Sequence, residues 1–493
     1  MPALKSYRRL TKRRIAAIVV FAAVAIVACS LSGCSRKPPG KSREAAAPQI
    51  DFAGLDTEGL QYFRDYLRFD TTNPPSNTAA AIAYLKQILD REGIQTQTFE
   101  SKPGMVTLVA KLPGPPNIKP FMLMSHADVV PAVARDWSHP PFAADLDGGF
   151  VWGRGAIDNK AHGIMALMTM LAIKRAGAKL KRGVEMMVNP DEEAGGENGA
   201  QWMVENHWDA IAPEFGVNEG GSGTQGWLGS RGTTFRIAVA EKRVMWLRLI
   251  AHGTSGHGSM PNPDNPNTIL IEGLSRVLEN PPAYRIVPVI ARAFDAMSSR
   301  MDFPASFELS HIGWPFMMDA ALKGPLSSYT VQALIRDTIS PTMLNAGFKV
   351  NVIPSTSEAG IDCRLLPDTN PDEFVTGLKH LLGPRIQVEF IQKPDLAPES
   401  PASGEAWDAI NDVVARDFRD EAPLVVPSLM AGGTDSRFLR LKGAPSYGFV
   451  PIVISQSEAA RIHGVDERLS VDNLDRGIRA TYDLTMELCR ANQ

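Results

Sequence analysis

The stretch from Val184 to Gly196 constrains this chain most: an apolar run, Val184 to Val188, passes through Asn189-Pro190 into three consecutive carboxylates, Asp191, Glu192 and Glu193, closed by Ala194-Gly195-Gly196. Such a run is the mark of a buried strand, here with an exit loop that presents acids. Neighbouring residues leaving a strand point opposite ways, so Glu192 and Glu193 can take different roles, one toward a metal and one toward a substrate. Alone, the same three acids are as readily a solvated turn. The rest of the chain weighs against that.

The pattern recurs. Phe121-Met122-Leu123-Met124 ends in Ser125-His126-Ala127-Asp128. In a strand this spacing puts His126 and Asp128 on one side, so the imidazole can ligate a metal while the carboxylate holds its other ring nitrogen. Trp152-Gly153-Arg154-Gly155-Ala156-Ile157-Asp158-Asn159-Lys160 sets Asp158 in a glycine-rich loop before the apolar helix Ile164 to Lys174, where capping is the alternative role. Phe215-Gly216-Val217 ends in Asn218-Glu219, and His463 lies in a loop before the last helix, Asn473 to Arg490. Helices at Leu60 to Phe69 and Thr78 to Glu92 alternate with short strands. This predicts an α/β sheet covered on both faces, with its chemistry at the carboxyl ends of strands.

With Glu192 set aside, two histidines and three carboxylates remain, and Asp128 stands behind one histidine. That inventory suits two divalent metals about 3.5–4 Å apart sharing a carboxylate. Mixed imidazole and carboxylate donors favour zinc, with cobalt or manganese as alternatives. The cysteines, Cys29, Cys34, Cys363 and Cys489, are too few and scattered for a disulfide framework or a thiolate site. A net charge of -3 supplies no nucleic-acid footprint.

From about Val239 the pattern changes. Trp246 to Ile250, Val350 to Ile353, Glu358 to Arg364 and Gln387 to Ile391 read as strands, and Asn267 to Leu278 and Pro371 to Leu382 as helices. That order predicts a ferredoxin-like α+β domain, residues 239–397, inserted between two parts of the catalytic domain, 51–238 and 398–493. The Met-rich segment between Pro281 and Gly347, with Trp314-Pro-Phe-Met-Met318, is expected to be ordinary core; lining an apolar channel and thickening a dimer interface are the alternatives. At the N-terminus a basic region and an apolar run, Ile15 to Val27, precede Leu31-Ser32-Gly33-Cys34. This resembles a bacterial lipobox, so residues 1–33 are expected to be a lipoprotein signal peptide, Cys34 the lipidated residue and 34–50 a tether. An uncleaved anchor is the other reading. The expected location is the periplasmic or outer side of a membrane.

The set His126-x-Asp128, Gly-Arg-Gly-Ala-x-Asp158-Asn-Lys, Asp-Glu192-Glu193, Glu219, Gly253-x-x-x-His257, Asn351-x-x-Pro354, Gly-Gly-Thr-Asp435-Ser-Arg437 and Ile-His463-Gly-x-x-Glu467 resembles the dinuclear zinc exopeptidase and deacylase family. That family includes glutamate carboxypeptidase, acetylornithine deacetylase, succinyl-diaminopimelate desuccinylase and aminoacylase. Trp137-Ser-His-Pro-Pro-Phe142, Phe348-Lys-Val-Asn-Val-Ile-Pro354 and Arg461-Ile-His-Gly-Val-Asp-Glu467 are similar to its carboxypeptidase S (Gly-Xaa carboxypeptidase) and N-fatty-acyl amino acid hydrolase/synthase branch.

The resemblance implies a mixed-sheet catalytic domain with the insertion as lid and dimerisation domain. It implies one metal on His126 and Glu219, another on Glu193 and His463, Asp158 bridging, and a cis peptide bond after Asp158. Glu192 is the implied general base, acting on a metal-activated water. His257 is the implied oxyanion donor, often supplied by the partner subunit of a homodimer. Asn351, Arg437 and the Gly432-Gly433-Thr434 loop are the candidates for binding a substrate carboxylate. Arg364 is another cation in a matching region, with Asp362 as its potential partner. The expected reaction is cleavage of an amide in short peptides or N-acyl amino acids. A narrow-specificity deacylase and a non-catalytic surface binding protein of the same fold stay open.

Overall fold

The computed structural model describes residues 50–491; the leader and Cys34 lie outside them. No helix among the described residues is long and apolar enough to cross a membrane. The central layer is a ten-stranded mixed sheet. At its heart Val184–Asn189, Phe121–His126 and Phe215–Asn218 run parallel, side by side and buried along their whole length. Burial on both faces is why they appear in the sequence as largely apolar runs, interrupted at Glu185, whose carboxylate pairs with Lys111 at 2.7 Å. Parallel alignment also brings their carboxyl ends to one edge, where the loops carrying Glu192, Glu193 and Glu219 emerge beside His126.

The two faces divide the side chains by strand alternation. Phe121, Leu123, Met186 and Val188 join the larger core with the helices Phe52–Leu67, Lys160–Ala176 and Val471–Cys489. Met122, Met124 and Met187 face Ala200, Met203, Phe438 and Leu439 on the helices Ala200–Asn206 and Ser436–Leu441. Lys160–Ala176 is buried continuously from Lys160 to Ile173, as a helix apolar all round must be.

The second sheet is antiparallel, ordered Thr338–Ala346, Thr356–Leu365, Arg243–His252, Ile386–Gln392. Pro266–Glu279 and Pro371–Leu382 cover it, giving the expected ferredoxin-like sandwich. One expected strand is replaced. Val350 is fully exposed and only Val352–Ile353 pairs, with Gly256–His257, while the edge strand is Thr338–Ala346. An edge strand with most of its side chains in water carries no apolar pattern to read. Within the segment 281–347, the helix Pro288–Ser298 buries Val289, Ile290 and Phe294 in the core of the large sheet, and Met301, Leu309, Ala321 and Leu326 follow. Trp314 and Phe316 stay exposed, and Met318 packs against that core.

Candidate metal centre

His126 closes its strand, and its Nε2 lies 3.0 Å from Asp158 Oδ1 and 3.3 Å from Glu219 Oε2. The other oxygen of Asp158, Oδ2, lies 3.1 Å from Nε2 of His463, which also stands 3.2 Å from Glu193 Oε2. One carboxylate thus faces two imidazoles, each with a further acid. Glu192 joins His126 and Glu193 in a third such group, with the donor atoms of each group within 4.8 Å of one another. The five residues expected as ligands and the expected base are therefore brought together from five loops or strand ends spread over residues 126–463.

The electrostatics follow from burying these groups together. Burial pushes the His126 imidazole down, but the Glu219 charge and its contacts with Asp128, Asp158 and Glu219 hold it well above its usual value. Burial raises Glu192 well above the carboxylate range, and Glu219 adds to this; Glu219 itself is pushed by burial to about 8. Burial also opposes the charge on Asp158, but its bonds to His126 and His463 hold it below the usual range. Hydrogen bonds to Asp158 and Glu193 raise His463 to about 10. Four acids crowded round two imidazoles form a donor set for cations, and the buried Oε1 of Glu193 has no hydrogen-bond partner. Two divalent ions fit these residues by number, charge and donor type.

The surroundings hold the loops in place. The peptide bond after Asp158 is cis, as the resemblance implied. Asn159 Nδ2 donates to Glu219 at 3.0 Å, and its Oδ1 accepts the His126 amide at 3.2 Å. Glu467 is fully buried and accepts from Arg154 Nη1 (2.7 Å), Gly155 N (3.0 Å), Ile157 N (2.7 Å) and Asp158 N (3.0 Å). The loop it holds contains Gly155 at φ 86°, with the ideal Cβ position 2.8 Å from a Val129 methyl, so only glycine fits. His463 also lies in the left-handed region, at φ 60°. In the sequence Glu467 carries no sign of this role beyond closing the motif Ile-His463-Gly-x-x-Glu467.

Several expected placements differ. Asp128 meets His126 Nδ1 through its main-chain carbonyl, at 2.9 Å, with the carboxylate at 3.5 Å. The strand ends at His126, so two-residue alternation no longer applies. The Asp128 carboxylate instead accepts the amides of Glu192 (3.2 Å) and Glu193 (3.1 Å) and the Asn73 side chain (2.8 Å). Asp191, first of the acid run, is engaged by Asn198 and Asn73. Arg437 lies beside the site but is committed to Asp395, Thr434 O and Gly195 O. Thr434 is bonded through its amide and hydroxyl to Glu241, both at 2.7 Å. His257 is exposed on the second sheet's domain, near Asn351, and joins none of the donor groups.

Two cavities flank the acids. One, about 220 Å3, lies between Glu192, Glu193 and His463 on one side and Trp246 and Arg364 on the other, with Gly432 and Gly433 on its wall. Its Arg364 pairs along the strand with Asp362 at 2.8 Å. The other, about 210 Å3, opens beside Asp158 and Glu219 and is mostly apolar.

The profile of peptidase family M20/M25/M40 matches residues 122–487. The chain is 29% identical over 377 residues to probable carboxypeptidase S-like 2 of Dictyostelium discoideum, covering 75% of this chain and 71% of that one. It is 29% identical to N-fatty-acyl-amino acid synthase/hydrolase PM20D1 of Mus musculus, over 75% of this chain and 74% of the relative. Against aminoacylase-1 of Sus scrofa the identity is 29%, over 89% and 94%. The fold is similar to that of the M20 family metallo-carboxypeptidase Sso-CP2 from Sulfolobus solfataricus, with a TM-score of 0.65 at 18% identity, covering 87% of this chain and 99% of that one.

Proposed function

The chain belongs to peptidase family M20/M25/M40, and on that premise we propose that it is a metal-dependent hydrolase of short peptides, as a carboxypeptidase, or of N-acyl amino acids. The observation that carries this reading is Asp158, whose two oxygens each face a different histidine. A non-catalytic binding protein would not need Glu192 beside a complete set of donors.

Two divalent ions, zinc with cobalt or manganese as alternatives, would be held by His126 with Glu219 and by Glu193 with His463, Asp158 between them. When bound they supply a polarised carbonyl and a water acidified toward neutral pH. The chain's own residues do the rest. Glu192 takes the proton of the attacking water and passes it to the leaving nitrogen. Asp128 orients this base by holding the amides of Glu192 and Glu193. His257 donates to the developing oxyanion from a partner subunit of a homodimer. Asn351 and the Gly433-Thr434 loop meet the substrate carboxylate, and Arg437 braces Thr434 and Gly195. The protein is exported and anchored through Cys34, which disfavours a cytoplasmic biosynthetic deacylase; radiolabelled fatty acid incorporation that survives Cys34→Ala would refute the anchor.

Purified, metal-loaded protein is assayed on Gly-Xaa dipeptides, N-acetyl amino acids and N-long-chain-acyl amino acids, with chelator controls. Chelator-sensitive cleavage of any class supports the hydrolase, and its absence throughout the panel rejects this reading.

A further inference from the structure

The apolar cavity beside Asp158 and Glu219 is walled by Ile157, Val450, Ile452, Ile454 and Ile462, yet it contains one guanidinium, that of Arg236 on the strand Thr233–Glu241. Other arginines around the site are paired: Arg154 with Glu467, Arg364 with Asp362, Arg437 with Asp395, Arg440 with Glu241. Arg236 has no carboxylate partner among the described residues, and its buried Nε has no hydrogen-bond partner at all. Its guanidinium lies over the ring of Trp227, 4.9 Å from the centroid, which leaves its edge free to bind. Burial holds its pKa below the usual arginine value, with no charged neighbour offsetting it. An unpaired cation in an apolar wall is costly unless a ligand supplies the counter-charge.

We propose that Arg236 binds a carboxylate of the substrate, making this cavity a specificity site for an apolar group that carries an anion. The proposal rests on the hydrolase reading above for its position beside the reacting bond. A fork of N–H donors in an apolar enclosure matches a carboxylate. Two substrate carboxylates have this chemistry: the distal one of a dicarboxylic acyl group, and the α-carboxylate of the amino acid released, which in that case binds Arg236 in place of Asn351 and the Gly433-Thr434 loop.

The test compares wild type with Arg236→Met and Arg236→Lys on N-butanoyl-leucine, N-succinyl-leucine and N-butanoyl-leucinamide. Hydrogen bonds to a charged group contribute about 1.5–3 kcal/mol, or ~10–100-fold in affinity. If the acyl carboxylate is bound, the wild-type KM for N-succinyl-leucine lies ~10–100-fold below that for N-butanoyl-leucine, and Arg236→Met loses this preference with kcat little changed. If the α-carboxylate is bound, Arg236→Met raises KM about equally for both acids and leaves the leucinamide unaltered. Wild-type KM on all three in Arg236→Met overturns the proposal and leaves the hydrolase reading standing.

Calorimetric titration with succinate and with leucine reads the site without turnover. Binding lost in Arg236→Met and partly kept in Arg236→Lys supports the anion site even where no substrate is cleaved. Equal binding, or none, in all three proteins overturns it.

Discussion

Replacing Glu467 with Gln isolates the contribution of one buried carboxylate to both the fold and the metal centre. Each oxygen of Glu467 accepts two hydrogen bonds: Oε2 from Arg154 and Gly155, Oε1 from Ile157 and Asp158. Glutamine keeps the volume but turns one oxygen into an NH2 group, which leaves two of these donors without an acceptor, at about 1–3 kcal/mol each. It also strips the counter-charge from Arg154, only 2% exposed, a loss of about 3–5 kcal/mol for a buried pair. The two terms describe the same network and do not add in full, so the expected cost is about 3–5 kcal/mol against a typical stability of about 5–15 kcal/mol.

Urea titration of the metal-free protein, followed by circular dichroism and tryptophan fluorescence, measures the fold. Metal titration measures the site, where affinity should fall ~10–100-fold because Asp158 is placed through this carboxylate. Unfolding within about 1 kcal/mol of wild type together with unchanged metal affinity would show that Glu467 holds neither the loop nor Asp158 in place.

Glu192→Ala should abolish detectable turnover, a loss of at least ~10²-fold, while bound metal measured by elemental analysis stays the same; full activity would remove Glu192 as the base. Dialysis against a chelator should stop hydrolysis, and zinc, cobalt or manganese should restore it. His257→Ala should lower kcat ~10²–10³-fold without shifting the melting temperature, because His257 is exposed and outside the donor cluster; an unchanged kcat would assign the oxyanion donor elsewhere. Burial depresses His162 to about 4 from 6.5. It is neutral in the fold, so its contribution is complete above the unfolded pKa of 6.5 and is lost as pH falls toward 4. That loss reaches at most about 3 kcal/mol, at 1.36 kcal/mol per pKa unit. Urea stability should therefore fall less over this window in His162→Leu than in wild type, and equal slopes would contradict it.

Much of the site was legible because the strands beneath it are buried on both faces. Continuous burial forces largely apolar runs at Phe121–His126, Val184–Asn189 and Phe215–Asn218, so the polar residues that end them stand out. The helix Pro371–Leu382 was equally clear, with Asn370 capping the amides of Asp372 and Glu373 and proline in the first turn. Where no such pattern exists, sequence reading failed. Thr338–Ala346 is an edge strand with mostly exposed side chains, so nothing in it repeats with a period of two apolar residues.

Tertiary structure alone decided the partners. Arg154 and Glu467 lie 313 residues apart, and no local periodicity links them. Asp128 sits two residues from His126, but its carboxylate goes to the amides of Glu192 and Glu193, because the strand has ended and the chain is free to turn. Arg437, which stands in a motif, is consumed by Asp395 and two carbonyls, while Arg236, which no motif marks, lines a cavity with no carboxylate paired to it. Which residue types stand at the strand ends can be read from the chain alone, since burial dictates the runs that precede them. Which of those groups are neutralised by a neighbour and which are left to bind a ligand depends on distances between segments far apart in the chain, and only the folded arrangement sets those.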